Sequence, residues 1–234
     1  YNKPETKCQK WQSCTIQHRL ALHGNGIRTD MAIKSLKHSS LTDNAFYRSV
    51  LAGNGAYFPV YESDDFLEQV VLSTTASSVT FSSLGTYATA GYKHLQIRTV
   101  AKGNANNFGN SSINLTFNGV TSGYSVHRIE ANGSSVSAYG TGTRGRIDIW
   151  DATAESNASY AGVFGVSIID VLDFSNPSKN TTVNCFTGSL MQNGTVNLGS
   201  GSYGATTAVT SLTLTASNGD FVSGSRFSLY GSKA

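Results

Sequence analysis

From about residue 66 onward the chain alternates between polar and apolar positions. In HLQIRTVA (94–101), His94, Gln96 and Arg98 alternate with Leu95 and Ile97, and Val100 follows after Thr99. A strand with one polar and one apolar face is half buried. Runs of the same kind recur at 67–73, 78–83, 112–118, 124–130, 134–139, 146–152, 162–174, 181–190, 195–199, 208–217 and 226–231. Asn-Gly pairs at 118–119, 132–133, 193–194 and 218–219 separate several of them. Such pairs suit left-handed turns and predict hairpins. GTGTRG (140–145) reads as a further hairpin turn and SGSYGATT (200–207) as a loop. Short, evenly spaced strands predict an all-β fold, an antiparallel jelly-roll-like β-sandwich. Strands alternating with long helices are absent, which excludes a parallel α/β fold. No fixed period repeats, which argues against a propeller or β-helix.

The alternation is lost toward the N-terminus. Residues 1–30 are aperiodic, a leader or extension with Trp11 as its one large anchor. Residues 31–65 read as an N-terminal anchoring arm, extended or partly helical. LTDNAFYRSVLAGNG fits a short helix from Thr42 to Leu51, with Asp43 near its start and Gly53 beyond its end. Phe46, Tyr47, Leu51, Tyr57 and Phe58 are the arm's apolar anchors. MAIKSLKHSSL reads as a natural start at Met31. The expected division is therefore 1–30, 31–65 and a sandwich over 66–234.

Composition sharpens this picture. Charged residues make up 13% of the 234, about half the roughly 25% of ordinary globular chains. The apolar fraction of 39%, regularly alternating, argues for folded β structure rather than disorder. The surface is then rich in hydroxyls and amides, which suits extracellular exposure, self-assembly or contact with sugars. A net charge of +3 does not imply nucleic acid without a clustered basic face. Eight of the 17 Lys and Arg fall in residues 1–50, where a solvated leader accounts for them. No run approaches the roughly 18 apolar residues of a membrane span. Residues 1–30 lack the apolar core of a secretory signal.

The cysteines are Cys8, Cys14 and Cys185, with no CxxC motif. Cys8, Cys14, His18 and His23 match no usual zinc spacing. Cys185 reads as a small buried hydrophobe. No metal or cofactor is expected.

Candidate chemistry is sparse. GVFGVSIID lacks G-x-S-x-G, and Ser167 sits in a strand. His94 and His127 have no orienting acid evident in the sequence. Asp148 and Asp151, like Asp170 and Asp173, are three apart. Side chains three apart on one strand point to opposite faces. A glycosidase dyad would therefore need a cross-strand pair such as Asp148 with Asp170. The alternative is turn hydrogen bonds or ion pairs to Arg144, Arg146 or Lys179. Calcium and phosphate loops are absent. The chain is expected not to be an enzyme. Tyr87, Tyr92, Tyr124, Tyr139, Tyr160 and Tyr203 lie at or near predicted turns. They are candidate glycan or subunit contacts, or else rings buried at strand ends with wet hydroxyls. His94, Gln96 and Arg98 are candidate subunit contacts. Six N-x-S/T sequons follow from the composition.

SSVTFSSL with YKHLQIR, then FGVSIIDVLDFSNPSKNTT, then the ending GSRFSLYGSKA resemble a family of virion structural proteins of tailed bacteriophages. The resemblance covers residues 67–231. Where the family pattern often has Tyr this chain has Phe174, and where it often has Gly-Ile-Lys this chain has Gly231-Ser232-Lys233. The resemblance implies a β-sandwich that closes with the SRFSLYG strand, a place on the phage particle and no catalytic residue. A fibre or a capsid or tail decoration protein, a homotrimer, contact with other virion proteins and attachment to host glycan are the corresponding expectations.

Overall fold

The computed structural model describes residues 64–105, 112–150, 153–154, 161–189 and 194–233. The chain divides between residues 61 and 62, and the described residues belong to the second unit. The expected leader, the helix over 42–51 and the anchors Phe46, Tyr47, Leu51, Tyr57 and Phe58 lie outside the described residues. So do Cys8, Cys14, Asp151 and Tyr160.

The elements run β1 (Asp65–Val71), β2 (Ser78–Phe81), α1 (Leu84–Thr89), β3 (His94–Lys102), β4 (Ile113–Phe117), β5 (Tyr124–Ala131) and β6 (Val136–Arg144). They continue with β7 (Ile147–Ile149), β8 (Thr153–Ala154), β9 (Gly165–Leu172), β10 (Thr181–Ser189), β11 (Thr195–Tyr203), β12 (Leu212–Ala216) and β13 (Arg226–Ser232). The fold is the expected antiparallel β-sandwich. A large sheet has the order β1-β13-β3-β9-β10-β11-β5-β6, with β8 paired in parallel to the end of β3. A small sheet has the order β2-β12-β4-β7. No helix among the described residues is long and apolar enough to cross a membrane.

Alternation sends one side chain in two into the space between the sheets. Leu95, Ile97, Ile169, Val171, Val183, Phe227 and Leu229 enter from the large sheet. Val79, Phe81, Ile113, Leu115, Phe117, Leu212 and Leu214 enter from the small one. Tyr124 sits fully buried among them, its ring stacked on Tyr203 at 5.0 Å. Its hydroxyl accepts the Phe117 N–H at 2.8 Å and donates to the Val120 carbonyl at 3.1 Å. Gly201 lets the layers meet closely: a Cβ there would lie 2.9 Å from the Ser125 carbonyl oxygen and 3.1 Å from Ile147 Cγ2.

Four local expectations need correction. GTGT is not a turn but the second half of β6, and SGSY completes β11. SGSY pairs throughout with β5, and GTGT pairs with it through Gly140 and Thr141 before the register shifts, so backbone hydrogen bonds hold strands that hydrophobic alternation does not mark. Asn132-Gly133 joins the paired strands β5 and β6, and Asn193 lies outside the described residues. Asn118-Gly119 and Asn218-Gly219 instead carry the chain from the small sheet to the large one. Asn118 and Gly119 have φ of 53° and 70°, so the turn chemistry was read correctly but the pairing was not. The helix α1 was not expected. It is too short to show a helical period.

Candidate functional site

The aspartates are placed by ion pairs. Asp148 projects from β7 beside Asn114 of β4, on the outer side of the small sheet, because Ile147 and Ile149 take the core side. It is buried, accepts from Arg146 Nε at 2.9 Å and from Arg144 Nε at 3.0 Å, and also pairs with Arg144 Nη2. Asp170 shares the outer side of the large sheet with Val166 and Ile168, and accepts from Gln96 Nε2 at 2.8 Å. Asp148 and Asp170 therefore face away from each other across the sandwich. Asp173, at the end of β9, is bonded by Lys179 Nζ at 2.5 Å, which holds its carboxyl below the ordinary value. His94 Nδ1 accepts the Asp173 backbone N–H at 3.0 Å. Ser167 is buried, 2.5 Å from the Thr99 hydroxyl. His94 Nδ1 also lies 4.0 Å from Asp173 Oδ1, so His94, Asp173 and Lys179 meet at one point, whereas Asp148, Asp170 and Asp173 share no partner with one another.

The tyrosines separate into two groups. Tyr124 and Tyr203 are core residues and reach neither a glycan nor a subunit. That corrects the sequence expectation: their nearness to turns reflects strand ends that point inward. Tyr87 and Tyr92 are half-buried, and their hydroxyls donate to Glu68 at 3.3 Å and Asp65 at 3.0 Å. Burial raises both phenols, and the carboxylate partners add to it. Tyr139 is exposed on β6 and meets Trp150 edge-on at 6.0 Å, while the Arg128 guanidinium lies 4.8 Å over the Trp150 ring.

Among the described residues every large exposed hydrophobic side chain except Tyr139 projects from the outer face of the large sheet. The register aligns them in rows across the strands. One row runs Arg98, Ile168, Phe186, Leu198, Ile129 and Ala138. The next runs Val100, Val166, Gly188, Val196, Ala131 and Val136. On the other side lies a polar row of Gln96, Asp170, Asn184, Ser200, His127 and Gly140. Arg98 donates to Gln96 at 2.7 Å and lies 4.4 Å over the Tyr230 ring. Phe186 is 51% exposed and Leu198 60%. Where the polar row meets the first apolar row, an open hollow of about 720 Å³ forms between His127, Ile129, Gly140, Asn184, Leu198 and Ser200. Any Cβ on Gly140 would run into the His127 ring.

Sequence reasoning placed Gln96 and Arg98 on this face but missed its apolar rows. The available signal was in β9, where Val166 and Ile168 occupy one parity and Ile169 and Val171 the other. A strand apolar on both faces departs from the apolar-in, polar-out alternation of an ordinary antiparallel sheet. No family model, curated protein or solved structure matches the chain.

Proposed function

We propose that the chain is a non-enzymatic structural component of a tailed-phage virion. It is a surface appendage, a fibre or a head or tail decoration protein, that attaches through its N-terminal arm and displays the sandwich outward as a homotrimer. The observation that carries an assembly role is the outer face of the large sheet, where apolar rows stand in place of a polar, solvated surface. The carboxylates support the same reading, because Asp148, Asp170 and Asp173 are engaged apart from one another. The phage assignment comes from the sequence resemblance. Its segments form β3, β9 and β13, which are direct neighbours in the large sheet, and β2, in the small sheet. Immunogold labelling of purified particles tests this. Specific labelling of the particle surface is expected, and particles that stay unlabelled while free protein in the lysate reacts would refute it.

A second reading, glycan recognition on the host surface, has one observation in its favour. Tyr139, Trp150 and Arg128 form an aromatic and cationic cluster on the side of β5 and β6 opposite the hollow, and sugars stack on such rings. A glycan array followed by adsorption assays with Tyr139→Ala tests it. Binding that Tyr139→Ala abolishes would support it, and an array without hits would remove it.

A further inference from the structure

The outer faces of the two sheets differ in kind. On the small sheet the outward positions carry Thr80, Thr116, Thr213 and Thr215, with Thr80 and Thr213 sharing a hydrogen bond at 2.9 Å. That is how this chain builds a sheet face for water. On the large sheet two of the outward rows carry Val, Ile, Leu and Phe, beside the polar row that runs from Gln96 to Gly140. The contrast belongs to the face and not to the overall composition.

We infer that the outer face of the large sheet is the interface between copies of this chain, centred on Ile168, Phe186, Leu198 and Ile129. Its size fits. Eight large hydrophobic residues in the two apolar rows are 42–73% exposed, an adjoining apolar surface on the several-hundred Å² scale of patches that mark interaction sites and of the ~800 Å² each partner gives to a stable interface. Its chemistry points to a second copy rather than a different protein. From β9 to β6 the two rows contain no ionic group, and interfaces that depleted in charge are those of permanent homo-oligomers. The rows end at β6, an edge strand that bears neither a charge nor a proline from Val136 to Thr143. Charge and proline, two of the devices that keep an edge from meeting another copy, are missing there, and the register shifts only toward its C-terminal end.

This inference rests on the self-assembling part of the proposed function and is independent of the phage assignment. The test is the solution mass of the full chain by light scattering over a dilution series, for wild type, Phe186→Lys/Leu198→Lys and the control Thr213→Lys. Wild type and control should have a mass that is a multiple of 24.8 kDa. The double variant should associate at least about thirtyfold more weakly, the scale of losing central interface anchors, with an unchanged circular dichroism spectrum. A wild type monomeric throughout, or a double variant with the wild-type mass, overturns the inference. Carbene footprinting of the wild type covers the case of a variant that does not fold. Labelling of Phe186 and Leu198 should fall as concentration rises. Labelling that does not change with concentration overturns the inference, whether the face is open or covered by the chain's own residues. An oligomer that survives the double variant leaves self-assembly standing and refutes only this face. Unlabelled particles, by contrast, refute the phage assignment alone.

Discussion

Asp148 has the burial that a catalytic acid often has, and the partners that make it structural. Two arginines, each partly open to water, close on a carboxylate that is 4% exposed. Removing the carboxylate leaves the arginines free to hydrate, so Asp148→Ala should cost about 2 kcal/mol, read as a lower midpoint in urea. The Tyr124 hydroxyl has both its bonds inside the core. Tyr124→Phe should cost about 1 kcal/mol and leave the Phe117 N–H without its partner. Cys185 is buried and its thiol is pushed up from 9.0 to about 11 by desolvation. The neutral thiol therefore favours the folded chain below pH 9, and that contribution is lost as pH rises through about 11. Folded protein should leave the Cys185 peptide unalkylated at neutral pH, and Cys185→Ala should flatten the alkaline fall in stability. Asp173 works in the opposite direction. Its lowered carboxyl value gives stability that is present above the ordinary aspartate range and lost as pH falls through the lowered value. The gap in stability between wild type and Lys179→Met should therefore close as pH falls through the lowered Asp173 value. The sequence already offered Arg144, Arg146 and Lys179 as partners for these aspartates, because pairing needs only nearby opposite charges. It did not reveal that Tyr124 and Tyr203 point inward, since a residue at a strand end has no further alternation to fix its side.

Strands were legible wherever one parity was apolar, as in β3 and β13. They were illegible where Gly, Ser and Thr fill both parities, as in the second half of β6 and the end of β11. There the ladder to β5 decides the conformation, and a ladder is a long-range fact. Turn sequences fixed local geometry but not partnership, which is why two Asn-Gly turns lead to the opposite sheet. Gly201 shows why β11 tolerates so many small residues: its neighbour β7 leans on it. Gly201→Val should destabilise the fold by about 2–3 kcal/mol through overpacking against Ile147 and the Ser125 carbonyl. Thermal unfolding would check this, and an unchanged midpoint would mean that the sheets can part there without cost.

At the scale of the molecule the two outer faces of the sandwich differ in kind. The small sheet ends in threonines, and the large sheet ends in rows of Val, Ile, Leu and Phe. Alternation alone could not reveal those rows, because it predicts that what is not core is polar. They became visible only when the register aligned β3, β9, β10, β11, β5 and β6. A protein whose Asp148, Asp170 and Asp173 are each held by different partners and whose large sheet bears apolar rows is, on the proposed reading, suited to being built into something. The most direct measurement is quantitative mass spectrometry of gradient-purified particles. The account predicts the chain at a fixed copy number per particle, retained through the gradient. Its presence in the lysate but absence from the particles would contradict the account.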